Sequence, residues 1–327
     1  MPTSPKTPIP PPPALAEPWG GVGHLTRFGQ SDGSEAAVYW ADFGGPTETA
    51  KSPVVLVHGL GGSHLNWVLL APLLAPSRRV YALDLAGFGF SPGGQQSSTV
   101  EASAELVARF VDEEVGEPSI LVGNSMGGMI SLLTAAGHPD LVERLVLLDP
   151  AIPTLRRNLD RRVAATFFLY GIPRVGEAFL GQVTARMSDR RRVQDTTNLC
   201  FADPSRADPD ALEAAVELLA YRRRYAPDAE LSYITAARSI LRLLGRGPRY
   251  AALLASISAP VLLIHGEKDR LVPVAAARTA AATYPGWRSV ILPDLGHAPM
   301  LEKPQLVARL IDDWLHDDRA GGSGVGG

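Results

Sequence analysis

The stretch Ser119-Ile-Leu-Val-Gly-Asn-Ser-Met-Gly-Gly128 constrains this chain more tightly than any other. A short apolar run, suited to one buried strand, passes directly into the pattern G-x-S-x-G, and a helical pattern begins at about Met126. A strand that turns so sharply into a helix holds the residue at the corner, Ser125, in a strained backbone conformation. Gly123 and Gly127 must be small because neighbouring backbone presses on them. The Ser125 hydroxyl is thereby raised at the top of a sheet, with a helix amino terminus behind it. There the Met126 N–H can meet a developing negative charge.

Gly89-Phe-Ser-Pro-Gly93 fits the same five-residue pattern. Ser91, however, follows a glycine-rich loop in place of a strand, and Pro92 has no N–H where the oxyanion donor belongs. Ser125 is therefore the candidate nucleophile.

The elements around it alternate. Ala37-Val-Tyr-Trp-Ala41 reads as an edge strand, and Pro53-Val-Val-Leu-Val57 as a strand buried on both faces. A helix over 65–74, strands over 79–83 and 120–122, a helix over 99–115 and a strand over 144–148 follow. After an interruption the same rhythm resumes with strands at 261–264 and 289–292 and helices over 275–284 and 305–315. This order predicts an α/β fold with a mostly parallel sheet and helices on both faces. The interruption, 151–258, reads as a helical cap, with 167–170, 211–221 and 234–244 as its clearest helical stretches. Its seventeen basic residues are all arginine against eleven acids, whereas the rest of the chain is acidic. Arg156-Arg157 and the triplets Arg190–Arg192 and Arg222–Arg224 read as a solvated face, with attraction of an anionic partner as the alternative. The expected division is thus a proline-rich flexible arm over 1–20, a core in two parts over 21–150 and 259–317, the cap over 151–258, and a flexible glycine-rich tail over 318–327.

A serine hydroxyl needs a base, and seven histidines compete for that role. His24 and His316 lie at the edges of the domain, His138 in a His-Pro-Asp helix stop, and His58 and His265 each precede a glycine at a strand end. His297 stands in a loop after the last predicted strand, where it can lean over the carboxyl edge of the sheet. The imidazole in turn needs a carboxylate to fix its tautomer. Asp269, just past the penultimate strand, is the candidate, and Asp149, at the end of strand 144–148, is its competitor; Glu267 and Asp294 read as loop charges. A second oxyanion donor is expected from the Leu60 N–H in His58-Gly-Leu-Gly-Gly-Ser63, where glycines let backbone approach a ligand. That loop has neither the G-x-G-x-x-G spacing nor the lysine of a nucleotide site.

Taken together, His58-Gly-Leu-Gly, Asp84-Leu-Ala-Gly-Phe-Gly-Phe-Ser91, Gly123–Gly128, Gly266-Glu-Lys-Asp269 and Gly296-His297 resemble the α/β-hydrolase superfamily, in the order serine, acid, histidine. The resemblance runs from about Val54 to Leu315 and implies the α/β-hydrolase fold with a serine-nucleophile triad. Relatives that open epoxides or remove halide use an aspartate at the position of Ser125, so both activities are set aside. The elbow is also similar to that of hydrolases that split carbon–carbon bonds in ring-cleavage products. Those enzymes typically carry a Gly-Pro-Gly type loop and a tryptophan after the histidine, where this chain has Gly59-Leu-Gly-Gly and Ala298. The expectation is therefore a carboxylic ester hydrolase acting on small-molecule substrates, with carbon–carbon hydrolysis, or a binding protein with slow turnover, as alternatives. Trp67, Phe167 and Phe168 are the expected apolar walls of the substrate pocket.

A net charge of −3 demands no polyanionic partner such as nucleic acid. Cys200 is the single cysteine, so neither an intrachain disulfide nor a cysteine-based zinc site is expected, and its thiol reads as inert. The proposed chemistry implies no metal or organic cofactor. The amino terminus lacks the apolar run of a secretory signal, no segment is long and apolar enough to span a membrane, and the chain reads as cytoplasmic.

Overall fold

In the computed structural model, residues 10–29, 35–47, 51–93, 98–153 and 160–317 are described. The chain begins with β1 (Val22–Gly29), β2 (Glu35–Asp42) and β3 (Val54–Val57), then α1 (Ala71–Leu74), β4 (Val80–Leu83) and α2 (Val100–Arg109). Next come β5 (Ser119–Asn124), α3 (Met126–Gly137) and β6 (Val142–Leu148). Among the described residues six α-helices follow: α4 (Arg161–Gly171), α5 (Val175–Arg186), α6 (Asp189–Cys200), α7 (Pro209–Tyr225), α8 (Ala229–Gly245) and α9 (Gly247–Ala255). The chain then returns through β7 (Val261–Gly266), α10 (Val274–Thr283), β8 (Arg288–Leu292), α11 (Pro299–Glu302) and α12 (Pro304–His316).

The eight strands among the described residues form one sheet in the order β1-β2-β4-β3-β5-β6-β7-β8. β1 and β2 are antiparallel to their neighbours, and every pairing from β4 through β8 is parallel. Side chains alternate across a strand, so the continuous apolar runs feed two cores at once. Val55 and Val57 enter one core, Val54 and Leu56 the other. Parallel strands all end at the same edge, and β3, β5, β6, β7 and β8 therefore deliver their carboxyl-terminal loops to one rim.

Several local readings change in three dimensions. The stretch 37–41, expected as an edge strand, lies within β2 and is paired on both sides, by β1 and β4; the edge belongs to β1, whose side chains mostly face solvent and so carry no apolar alternation. The stretch expected as one helix over 65–74 is a 3₁₀ turn, His64–Trp67, followed by the short α1. From Pro10 onward the proline-rich segment is laid against the body, not loose: Leu15 and Ala16 are buried, and Tyr221 donates a hydrogen bond to the Pro10 carbonyl at 3.0 Å. Residues 1–9, Arg156-Arg157 and the tail 318–327 lie outside the described residues. Among the described residues no single helix is long and apolar enough to cross a membrane.

The helices between β6 and β7 are tied to the sheet through buried backbone. Arg222, read from the sequence as part of a solvated triplet, donates to the carbonyls of Gly89 and Gly87, both at 2.7 Å. Its neighbour Arg223 does face solvent and pairs with Asp189 at 2.5 Å. Helical geometry explains the split, since successive residues point about 100° apart and only one member of a triplet can face the sheet. Arg222→Ala leaves both carbonyls without their charged donor. A loss of about 1.5–3 kcal/mol is expected, measured as a lower denaturant midpoint.

Candidate active site

β5 ends where the sequence requires a corner. Ser125 has φ +56° and ψ −115°, an unfavourable region for a residue with a side chain. The surrounding backbone holds it there. The Ser125 N–H donates to the Leu148 carbonyl, and the Ala151 N–H donates to the Ser125 carbonyl, each at 3.0 Å. The flanking glycines are steric necessities: a Cβ on Gly123 would lie 2.4 Å from the Gly127 carbonyl oxygen, and one on Gly127 only 1.9 Å from that of Val57. Met126 opens α3, so its N–H is among the first of the helix and has no intrahelical acceptor.

The loop after β3 approaches Ser125 directly. A Cβ on Gly59 would meet the Cβ of Ser125 at 3.2 Å, which explains glycine at that position. The next turn closes through a hydrogen bond from the Gly62 N–H to the Gly59 carbonyl at 3.0 Å, with Gly61 at φ +75°. Leu60 sits between them. His58 fixes this loop: its Nδ1 donates to the Gly59 carbonyl at 2.7 Å and its Nε2 accepts the Leu85 N–H at 3.1 Å. Burial pushes the His58 ring down to about 4, so it stays neutral, as the acceptor role of Nε2 requires. Asp84 anchors the adjoining loops, accepting the N–H groups of His64 at 2.6 Å and Phe90 at 2.7 Å.

Asp269 follows β7 and His297 follows β8. His297 Nδ1 donates to Asp269 Oδ2 at 2.7 Å, and both residues are buried. This contact makes Nε2 the accepting nitrogen of the neutral ring. Asp269 Oδ1 accepts the N–H groups of Leu271 at 2.7 Å and Val272 at 3.0 Å. Burial opposes ionisation of Asp269, but the charge and hydrogen bond of His297 outweigh it, and its carboxyl titrates below the ordinary range. The histidine loop is bonded to the two elements beside it. Asn124 Nδ2 donates to the His297 carbonyl at 3.0 Å, and the His297 N–H donates to the Cys200 carbonyl at 2.6 Å.

The remaining candidates fall elsewhere. Ser91 is buried, donates to the Asp84 carbonyl at 2.7 Å and accepts the Tyr39 N–H at 2.8 Å, which marks it as a structural hydroxyl. Asp294 pairs with Lys303 and Glu267 with Arg278, each at 2.5 Å. Burial pushes the Cys200 thiol up to about 12, so it is inert. Trp67, expected at the pocket wall, is fully buried in a core cluster among Leu65, Val68 and Leu70. Phe168, 69% exposed, faces solvent, while its neighbour Phe167 turns inward against Tyr170 with ring centroids 6.0 Å apart. On one helix these adjacent residues cannot share a face.

Tyr233, which the sequence does not single out, comes from α8 and rests on the loop: a Cβ on Gly61 would lie 3.0 Å from its ring. It joins Tyr170, Leu180, Ile234, Phe179 and Leu60 in a small apolar cluster above that loop. A tyrosine within a helical pattern carries no signal of this placement; only the packing of α8 on the β3 loop reveals it.

The model of the alpha/beta hydrolase family matches residues 54–310, from β3 to within α12. This chain belongs to that family. It is 30% identical to a pimeloyl-[acyl-carrier protein] methyl ester esterase of Aromatoleum aromaticum, over 80% of this chain and 98% of that protein. It is likewise 30% identical to the dihydrolipoyllysine-residue acetyltransferase component of the acetoin cleaving system of Pseudomonas putida, over 82% of this chain but only 64% of that longer protein. The alpha/beta hydrolase fold also appears in the structure of a thermophilic esterase from Thermogutta terrifontis, at a TM-score of 0.66 and 24% identity, covering 89% of this chain and 98% of that one.

Proposed function

We propose that this alpha/beta hydrolase cleaves carboxylic esters of small to medium apolar substrates through an acyl-enzyme on Ser125. The observation that carries the reading is the strained corner at Ser125, on the same sheet edge that delivers the 2.7 Å His297–Asp269 pair. Ser125 Oγ attacks the carbonyl carbon while His297 Nε2 takes its proton, and Asp269 stabilises the imidazolium that forms. The N–H groups of Leu60 and Met126 hold the oxyanion. The carbon–oxygen bond then breaks, and the leaving alcohol receives the proton from His297. Water, deprotonated by the same nitrogen, attacks the acyl-enzyme and frees the acid. Support for an ester as substrate comes from the methyl ester esterase that this chain resembles over 98% of that protein's length.

The helices α4–α9 act as a cap over this rim, dividing the core at 151 and 258. Phe167, Tyr170, Phe179 and Tyr233 supply the apolar wall in place of Trp67 and Phe168. The chemistry uses side chains and backbone dipoles, and the reading includes no metal or cofactor.

A panel of p-nitrophenyl esters from acetate to long acyl chains, run beside a vinylogous diketone, tests the reading. Ester turnover is expected to exceed that of the diketone and to peak at short or medium acyl length. The elbow Gly123–Gly128 supports the carbon–carbon reading, and faster turnover of the diketone would establish it. A fluorophosphonate probe is expected to label Ser125; absence of labelling would favour a binding protein.

A further inference from the structure

Behind the Asp269–His297 pair lies a carboxyl group that the reaction does not use. Asp149, directly after β6, is fully buried and has φ +48°, a left-handed conformation rare outside glycine. Its N–H donates to the Ile264 carbonyl at 3.0 Å, which pins it beside β7. Its Oδ1 accepts the Gly266 N–H at 2.8 Å, and its Oδ2 is buried with no hydrogen-bond partner among the described residues. One carboxylate oxygen each of Asp149 and Asp269, together with a ring nitrogen of His297, all lie within 4.8 Å of one another.

Two carboxylates this close in a dry site resist carrying two charges. The donor inventory shows which one keeps its proton. Asp269 accepts three hydrogen bonds, from two backbone N–H groups and His297, as an anion would. Asp149 accepts one. The other titratable groups around the pair bring no compensating cation to Asp149. His265 Nε2 lies 3.6 Å from Asp149 Oδ1 and 3.7 Å from Asp269 Oδ2, yet it donates to the Val272 carbonyl at 2.9 Å, and burial lowers its proton affinity so that the ring stays neutral. Glu302 accepts the Gly296 and Asp203 N–H groups and stands 3.7 Å from Arg206. Arg270 donates to the Phe201 carbonyl at 2.8 Å, and the Cys200 thiol stays protonated.

We propose that Asp149 is a neutral carboxylic acid that donates its proton toward Asp269, so that the buried pair carries one negative charge, directed at His297. Burial and the charge of Asp269 both raise the Asp149 carboxyl well above its ordinary range. Asp149 is then a positioning residue. Its donor holds the Asp269 carboxylate against His297, and its neutrality keeps a second anion from trapping the imidazolium and removing the base. The role in turnover rests on the Ser125–His297–Asp269 reading; the protonation state does not.

Four measurements test it. With ¹³C-labelled aspartate, the infrared spectrum at neutral pH is expected to contain a carboxylic acid carbonyl band that Asp149→Asn removes; no such loss would overturn the proposal. In kcat/KM against pH, Asp149→Asn is expected to move the acid limb by no more than about 0.3 unit, since no charge is lost. A fall of about one unit or more would mean that an anion had been removed beside His297. Asp149→Ala is expected to lower kcat about tenfold, with Asp149→Asn restoring most of the loss.

Stability supplies the fourth readout. The native state holds a proton that the unfolded chain releases above about pH 4, so wild-type stability falls as pH rises through the window between the unfolded and folded titrations. The Tm of Asp149→Asn relative to wild type is therefore expected to rise from pH 4 to 7, and a constant difference would overturn the proposal. If that variant does not fold, Asp312→Asn, which removes the other aspartate that burial raises, is expected to leave the labelled band in place at neutral pH, and absence of the band there would overturn the proposal. If Ser125 proves unreactive, the infrared and stability results still report on Asp149.

Discussion

Ser125→Ala is expected to lower kcat on short p-nitrophenyl esters by about 10⁴- to 10⁶-fold. The hydroxyl is the only atom removed, and neither strand β5 nor helix α3 uses it: the Ser125 side chain does not cap the helix. The strain at φ +56° is a backbone property that alanine shares. The variant should therefore fold and unfold like wild type, which separates loss of chemistry from loss of structure. Because the groups of a triad act as a unit, adding His297→Ala should reduce the rate little further. Turnover of Ser125→Ala within tenfold of wild type would remove the nucleophile assignment.

Gly127→Ala is expected to destabilise the protein by about 3 kcal/mol or more, seen as a fall in Tm of roughly 5–10 °C. The new Cβ would lie 1.9 Å from the Val57 carbonyl oxygen and 2.6 Å from that of His58. Val57 closes β3, a strand whose four residues are all buried, and His58 follows it directly, so backbone must move. Any displacement there is passed to the Gly59–Leu60 turn and to Ser125, so activity should fall along with stability. A Tm within about 1 °C of wild type would show that β3 and α3 can separate without penalty.

Much of the candidate site was legible because its requirements are local. Ser125 could be separated from Ser91 by one missing N–H at Pro92 and by the strand preceding it, and Ser91 indeed spends its hydroxyl on the Asp84 carbonyl. Asp269 and His297 were legible as residues that follow consecutive parallel strands, since such strands end on one side. Trp67 and Phe168 were not legible as pocket or otherwise: an aromatic in an apolar stretch has the same local pattern whether it fills a core or lines a cleft. Arg222 and Tyr233 depend on which face of a cap helix meets the sheet, which no spacing within α7 or α8 declares. Asp149 was visible as a competing acid, but its neutrality comes from the proximity of Asp269, 120 residues further along the chain.

The order of residues alone sets the alternation of strands and helices and the identity of the corner serine. These depend on hydrophobic period, on glycine where backbone crowds, and on proline where an N–H is missing, all short-range properties of the chain. Packing alone sets which acid meets His297, which aromatics stand above the Leu60 turn, and that Asp149 lies beside Asp269. Contact and charge state depend on separations of a few ångströms between residues far apart in order, and those separations exist only once the parallel strands bring their ends to a common rim.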